Sequence, residues 1–217
     1  MYLQLLLFSF LRLLSRQGQC ICVNRDAMVR VNRSLFPASR CLYMYRDVPP
    51  VAKSVYRLMV SDSLSHLFLI VGRLSVPMAS MMSGILGAVC SPVPRLDSDL
   101  TVGVLVWAAA TKAYLDARRR GLDISALRYE DLVARPLDMC RVILEYCRLP
   151  VSLAELAVKA LDVDSQRNTV IAKSKIGHYK DPQLTPQTKA KLNELLKSYG
   201  VPLIGEPGIV EGTLTCC

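Results

Sequence analysis

The chain has 217 residues, of which 52% are hydrophobic and 21% are charged, so it is long enough to bury a core and too apolar for a disordered protein. Its formal net charge of +9 suits a polyanion, a nucleotide phosphate or a membrane surface. The basic residues are dispersed and carry no interleaved aromatic residues, so we expect no nucleic acid among the partners. The eight cysteines form no CxxC pair and only two histidines are present, so we expect no metal site.

The cellular location is predicted from the cysteines and the amino-terminal residues. Several cysteines lie in apolar runs, which predicts buried thiols and favours a reducing compartment such as the cytoplasm. Residues 1–14 are strongly apolar, but this run is short of the roughly 20 residues that span a bilayer, so we predict an apolar helix and a loop over residues 1–19. The alternative is a membrane-associated basic protein that uses residues 1–14 or 64–90, with a Golgi membrane location if the amino terminus is truncated.

The next predicted elements are a strand, a helix and a second strand. Residues 20–24 are typical of a buried strand, residues 25–35 of a helix with one apolar face, and residues 42–45 of a strand. A helical connection between two strands predicts that they are parallel, with a right-handed crossover. The sequence therefore predicts an α/β fold in which helices flank a parallel sheet.

The second strand leads into a candidate anion site. Arg46 ends the strand, Asp47, Pro49 and Pro50 form a turn, and Ser54 lies early on the helix that follows. Open α/β sheets place ligand groups at the carboxyl ends of strands, and a helix amino terminus adds a positive dipole and N–H donors. The Arg fork and the Ser hydroxyl suit a phosphate. A surface Arg and a solvated Ser without a ligand are the alternative.

A long helix and a third strand come next. Residues 97–120 are typical of a long helix whose three final arginines suit a helix carboxyl end. Residues 124–127 suggest a strand, with residues 129–132 as its carboxyl end. On an extended chain, the adjacent Glu130 and Asp131 point to opposite faces, so we predict no acid–base role for them.

The last part of the chain is predicted to be helical and then irregular. Pro136 opens an amphipathic helix, and residues 152–161 suggest a short one. The final helix has Thr185 as its N-cap and ends at Gly200. Residues 203–217 are rich in Gly, which predicts a loose tail.

Two of these segments resemble the sulfotransferase family, which transfers a sulfuryl group from the nucleotide 3′-phosphoadenosine 5′-phosphosulfate (PAPS). An Arg at the end of a strand, then Asp and Pro, with a Ser eight positions after the Arg, is similar to the family's 3′-phosphate-binding motif, which Arg46 and Ser54 match. The Tyr-Glu-Asp-Leu run at Tyr129 resembles a family segment whose Tyr contacts the nucleotide. The resemblance covers residues 20–202 and implies a P-loop NTPase-like sulfotransferase domain there, with PAPS or its product PAP as cofactor.

The sequence departs from the family at two places. It lacks the loop of Lys, Ser, Thr and Gly that holds the 5′-phosphosulfate, so we expect a fold that is incomplete at its amino end. Where cytosolic members have a His base, this chain has Asn24 and Arg25, which do not abstract a proton. The catalytic residues therefore stay unassigned. The resemblance implies a PAPS-dependent enzyme, and we expect this chain to bind the donor, while its own turnover stays open. The family reaction implies a hydroxyl acceptor on a carbohydrate or a small molecule, and a non-catalytic nucleotide-binding or interaction remnant is the alternative.

Overall fold

The computed structural model describes residues 20–22, 40–61, 98, 100–161 and 180–216. The predicted amino-terminal helix, the helix over residues 25–35 and the apolar run at residues 64–90 lie outside these ranges. Among the described helices, none is both long enough and apolar enough to cross a bilayer.

The described part of the chain contains three strands, with helices between the second and third strands and after the third. The elements are β1 (Cys20–Cys22), β2 (Arg40–Tyr45), α1 (Val48–Ser61), α2 (Thr101–Arg119), β3 (Ile124–Arg128), α3 (Tyr129–Ala134), α4 (Pro136–Tyr146), a 3-10 helix (Val151–Leu153), α5 (Ala154–Leu161) and α6 (Pro186–Tyr199).

The chain divides into two compact units, which we describe separately. The first takes its described residues from Met1–Arg46, Ala113–Gln166 and Ile209–Cys217. The second takes them from Asp47–Lys112 and Arg167–Gly208. The chain therefore passes from the first unit to the second between the end of β2 and the start of α1.

The first unit is built on a parallel sheet with the strand order β1-β2-β3. Cys41 of β2 pairs with Ile124 of β3 at one end, and Tyr45 pairs with Arg128 at the other. Residues 41–45 of the middle strand are all buried, which is typical of a parallel strand covered on both faces. The prediction of an α/β chain with a parallel sheet and helices is confirmed.

The core of the first unit forms between this sheet and α4. Leu42 and Met44 of β2 pack with Leu127 of β3 against one face of the helix. The side chains that α4 and its carboxyl-terminal cap contribute are Met139, Cys140, Ile143, Leu144 and Cys147. Their i, i+3, i+4 spacing is the predicted amphipathic pattern, and the predicted burial of these thiols is confirmed. Burial raises the pKa of the Cys140 thiol to about 11, so this thiol stays protonated at neutral pH.

The second unit has its own core, formed by α1, α2 and α6. Val102 and Leu105 of α2 pack against side chains of both other helices, including Leu195 of α6. α1 and α2 approach closely at Gly103, where a Cβ atom would lie 2.5 Å from the Ala52 Cα. Because a backbone atom occupies that space, a side chain at this position would push the two helices apart.

The ends of the helices follow the local sequence signals. Thr185 caps α6 by accepting a hydrogen bond from the Thr188 N–H at 3.1 Å. Gly200 ends the helix in the left-handed conformation, with φ 65°, which glycine adopts without steric penalty. The helix predicted over residues 97–120 is observed at Thr101–Arg119. These predictions are confirmed, since each rests on residues that are neighbours in the sequence.

The segment after β3 differs from its prediction. The interpretation that the strand extends to Leu132 is wrong, because β3 ends at Arg128 and α3 begins at Tyr129. The helical turn carries the Leu132 side chain into the core, where it is fully buried. Glu130 and Asp131 therefore lie in the first turn of a helix, and the extended geometry assumed for them does not exist.

The carboxyl-terminal segment 209–216 joins the sheet of the first unit, whereas its composition predicts a loose tail. Ala126 of β3 donates its N–H to the Gly212 carbonyl at 2.9 Å and accepts the Leu214 N–H at 2.8 Å. Val210 is 1% exposed, and Gly212 turns the chain with φ 78°. The prediction of a loose tail is wrong for this segment, because long-range hydrogen bonds and burial hold it against β3.

Two buried tyrosines of the first unit also hold this segment. The Tyr45 hydroxyl accepts the Val210 N–H at 3.1 Å and lies 2.9 Å from Thr213 Oγ1. The Tyr114 hydroxyl donates to the Glu211 carbonyl at 2.7 Å. Burial is the main cause that raises the pKa of both phenols, that of Tyr114 to about 12. Both hydroxyls therefore keep their protons, and their hydrogen bonds, across the neutral range.

An ion pair in the second unit makes stability depend on pH. Asp181 accepts a hydrogen bond from Arg57 Nε at 2.7 Å and lies 3.7 Å from Lys53 Nζ. The Arg57 hydrogen bond lowers the pKa of the Asp181 carboxyl from its ordinary value of 3.8. The pKa of Asp181 is lower in the folded protein than in the unfolded chain. The ion pair therefore stabilises the fold at pH values above the ordinary pKa, and this stabilisation is lost as the pH falls through the folded pKa.

We therefore expect Asp181→Asn to lower the free energy of unfolding by up to about 1 kcal/mol at pH 7, since the pair is partly exposed. At about pH 2, below the ordinary pKa of the carboxyl, the difference from wild type should be smaller. Urea denaturation of both proteins at the two pH values measures this, and an equal loss at both values would contradict the assignment.

Candidate functional site

The candidate site lies at the carboxyl edge of the sheet in the first unit. Tyr45 and Arg128 are the last residues of β2 and β3, and they are paired in the parallel register. Arg46 and Tyr129 follow them directly in the chain, so the two predicted residues leave neighbouring strands at the same edge. Open α/β sheets place their ligand groups at this edge.

Arg46 and Tyr129 are in direct contact. The Arg46 guanidinium lies over the Tyr129 ring, with Cζ 4.4 Å from the ring centroid, which is cation–π distance. On another side, Arg46 Nε lies 3.7 Å from Glu130 Oε1, and the Arg46 side chain is 44% exposed. The structure therefore brings together two of the three site residues predicted from the sequence.

The ion pair with Glu130 and the contact with the Tyr129 ring are each weak compared with a phosphate complex. A partly exposed ion pair contributes about 0.2–1 kcal/mol, and an exposed cation–π contact about 0.5–1 kcal/mol. A hydrogen bond to a charged group contributes about 1.5–3 kcal/mol, and a guanidinium can form two of them with one phosphate. A bidentate phosphate is therefore able to displace the carboxylate from Arg46.

A second Arg–carboxylate pair lies at the same edge. Arg128 Nη1 is 3.4 Å from Asp131 Oδ1, and both side chains are partly buried. Together with Arg46 and Glu130, this pair places two guanidinium and two carboxylate groups at the edge of the sheet. These four charges sum to zero, so an anion would gain from directed hydrogen bonds more than from the net charge.

Ser54, the third predicted residue, belongs to the second unit. It is the seventh residue of α1 and is exposed, so its own N–H lies beyond the first turn and it offers a hydroxyl alone. Three positions at this helix start supply no free N–H donor. Pro49 and Pro50 have no N–H, and the Val51 N–H bonds to the Asp47 carbonyl at 3.4 Å. The part of Ser54 in the site stays a prediction.

Glu130 is the site residue that sequence reasoning missed. In an extended chain, side chains alternate between the two faces of the sheet. This rule gives the face on which Glu130 lies, but it does not give the distance of Glu130 from β2. The observed turn of α3 instead sets Glu130 beside Arg46. One sequence signal could have identified Glu130. Parallel strands that are neighbours in a sheet end at the same edge, so polar residues that follow the two strands lie together there.

The opposite end of β2 carries a comparable arrangement. Arg40 lies 5.7 Å from the centroid of the Tyr146 ring and pairs with Asp123 at 2.8 Å. This pair is within hydrogen-bond distance, and the Arg40 side chain is 27% exposed. Arg46 is more exposed and more distant from its carboxylate. Arg46 is therefore the better placed of the two to receive a ligand, and Arg40 serves as its matched control.

Comparison with known proteins assigns no family. No protein-family model matches the chain, no curated protein matches it, and no solved structure matches it. Across the residues that the structure describes, no group of three or more His, Cys, Asp and Glu is placed to hold a metal ion.

Proposed function

We propose that this chain is a sulfotransferase-like protein with a P-loop NTPase-like fold, and that it binds PAPS or PAP at the carboxyl edge of its sheet. The reaction assigned to this site is transfer of the sulfuryl group of PAPS to a hydroxyl acceptor, on a carbohydrate or a small molecule. The observation that carries the proposal is the contact between Arg46 and Tyr129, since the sequence resemblance assigns both residues to one nucleotide.

The chemistry of Arg46 suits the 3′-phosphate of this nucleotide. Its planar guanidinium presents parallel N–H groups that match two phosphate oxygens. The Tyr129 ring lies against the guanidinium and restricts its movement before a ligand arrives. Such restriction lowers the conformational entropy that binding removes. In this proposal Tyr129 orients Arg46 and contacts the nucleotide beside it.

The proposed roles of Arg46 and Tyr129 concern donor binding and leave the chemical step to other groups. The sulfuryl group of PAPS is attached on the 5′ side of the nucleotide, whereas Arg46 receives the 3′-phosphate. Replacement of Arg46 should therefore raise the KM for PAPS more than it lowers kcat, because an interaction made equally in ground and transition states affects binding alone.

Titration with PAP tests the proposal, with 5′-AMP as the matched ligand that lacks the 3′-phosphate. We expect PAP to bind at least tenfold more tightly, because loss of charge-assisted hydrogen bonds of about 1.5–3 kcal/mol corresponds to about 10–100-fold in Kd. Isothermal titration calorimetry measures both constants. Equal affinity for the two nucleotides, or no binding of PAP at millimolar concentration, would contradict the proposal.

The arrangement at Arg40 favours a second candidate function for the chain. Arg40 combines a carboxylate and an aromatic ring at the amino edge of the sheet, so the same combination at Arg46 would also suit a purely structural role. The chain would then be a non-catalytic remnant that binds the nucleotide or another protein. Labelled PAPS with a panel of hydroxyl acceptors separates the candidates: transfer of label supports the enzyme, and PAP binding without transfer supports the remnant.

A further inference from the structure

Glu130 stands beside Arg46, the residue that the proposed function assigns to the 3′-phosphate. Its Oε1 lies 3.7 Å from Arg46 Nε, and the residues around it in the chain are held in place. Tyr129 packs against the core of the first unit, and Leu132 belongs to that core. The start of α3 is thereby anchored on both sides of Glu130, so its backbone keeps the carboxylate within reach of the guanidinium.

We propose that Glu130 is an internal competitor for the phosphate that binds Arg46, so that an intramolecular ion pair closes the site until a ligand displaces it. This inference rests on the proposed function and adds a means of regulating the same site. A phosphate at Arg46 lies within a few ångströms of the Glu130 carboxylate, where two like charges repel each other strongly. The carboxylate must therefore move away, or the phosphate binds more weakly.

The competition also selects among anions. An anion that forms a single hydrogen bond with Arg46, such as chloride, replaces one weak contact with another and gains little. A phosphate monoester forms two charge-assisted bonds with the same guanidinium and displaces the carboxylate. Glu130 thus sets a threshold that favours a bidentate phosphate over the simple anions of the cell.

The neighbouring Asp131 offers a matched control. Both carboxylates lie in the first turn of α3, and their side chains are 27% and 25% exposed. Asp131 pairs with Arg128 at 3.4 Å, whereas Glu130 pairs with Arg46. Glu130→Gln and Asp131→Asn therefore remove the same charge from the same turn of helix, and only the first removes the carboxylate beside Arg46.

The test compares the Kd of PAP for the wild type, Glu130→Gln, Asp131→Asn, Arg46→Ala and the double variant Arg46→Ala with Glu130→Gln, each shown to be folded by circular dichroism. We expect Glu130→Gln to bind PAP about tenfold more tightly, as removal of a nearby like charge predicts. Asp131→Asn should stay within about twofold of wild type. The gain from Glu130→Gln should disappear in the Arg46→Ala background, because the competition acts through that guanidinium.

The outcomes separate this inference from the proposed function. Wild-type binding of PAP without a gain in Glu130→Gln, or with an equal gain in Asp131→Asn, would overturn the competitor role and leave the proposed function intact. Binding by Glu130→Gln and not by the wild type would support the competition at Arg46 and would contradict PAP binding by the wild-type chain. Absence of PAP binding in every variant would overturn both.

Discussion

Replacement of Arg46 by Ala is expected to abolish the thermal stabilisation that PAP gives to this protein. A ligand at 100 times its Kd stabilises the folded state by about 2.7 kcal/mol, which raises the Tm of a chain of this size by roughly 5–11 °C. Loss of two charge-assisted hydrogen bonds, at about 1.5–3 kcal/mol each, weakens binding by about 100-fold or more. At the same PAP concentration the remaining stabilisation is then about 0.4 kcal/mol or less, which is close to the error of a thermal shift measurement.

The control for this variant is Arg40→Ala, on the same strand. Each substitution removes a guanidinium that is paired with a carboxylate and lies against a tyrosine ring. Arg40 lies at the amino edge of the sheet, so the PAP shift of Arg40→Ala should equal that of the wild type. A PAP shift that survives in Arg46→Ala, or that is lost equally in both variants, would show that Arg46 does not hold the phosphate.

Deletion of residues 209–217 is expected to lower the free energy of unfolding of the first unit strongly. The deletion removes the buried Val210 side chain, which contributes about 1.5–3 kcal/mol. It also leaves the Tyr45 and Tyr114 hydroxyls and the backbone groups of Ala126 without their partners. Each hydrogen bond lost in this way contributes about 0.5–1.5 kcal/mol. We expect a total loss of about 3 kcal/mol or more, and a Tm lower by at least about 6–12 °C.

Two neighbouring residues provide the control for the deletion. Val210 is buried and Ile209 is exposed, so Val210→Ala should lower the Tm measurably while Ile209→Ala should leave it within about 2 °C. Thermal unfolding followed by circular dichroism measures all three proteins. A deletion variant with the Tm of the wild type would show that the segment is as loose as its composition predicts.

The predictions that succeeded rest on local signals. The buried strand at residues 41–45 is a continuous apolar run, and the two prolines after it mark the start of α1. Thr185 and Gly200 mark the ends of α6 by their own backbone and side-chain chemistry. These signals act between residues a few positions apart, so the sequence carries them without knowledge of the fold.

The predictions that failed depended on residues far away in the chain. The tail at residues 209–216 lacks a regular apolar pattern, and it is held by Ala126, Tyr45 and Tyr114, which belong to three different elements. The helical turn at Tyr129 likewise depends on the burial of Leu132 in a core built by α4 and the sheet. A single sequence does not state which distant residues supply these partners.

The sequence by itself determined two candidate residues for the site at the carboxyl edge of the sheet. They are an Arg at the end of a buried strand and a Tyr at the start of the segment that follows β3. The tertiary structure alone decided that these strands are paired in register, so that Arg46 lies over Tyr129. It also decided that Glu130 stands beside the same guanidinium. The physical reason is that register between parallel strands is set by the packing of both faces of the sheet, which involves side chains from the whole unit.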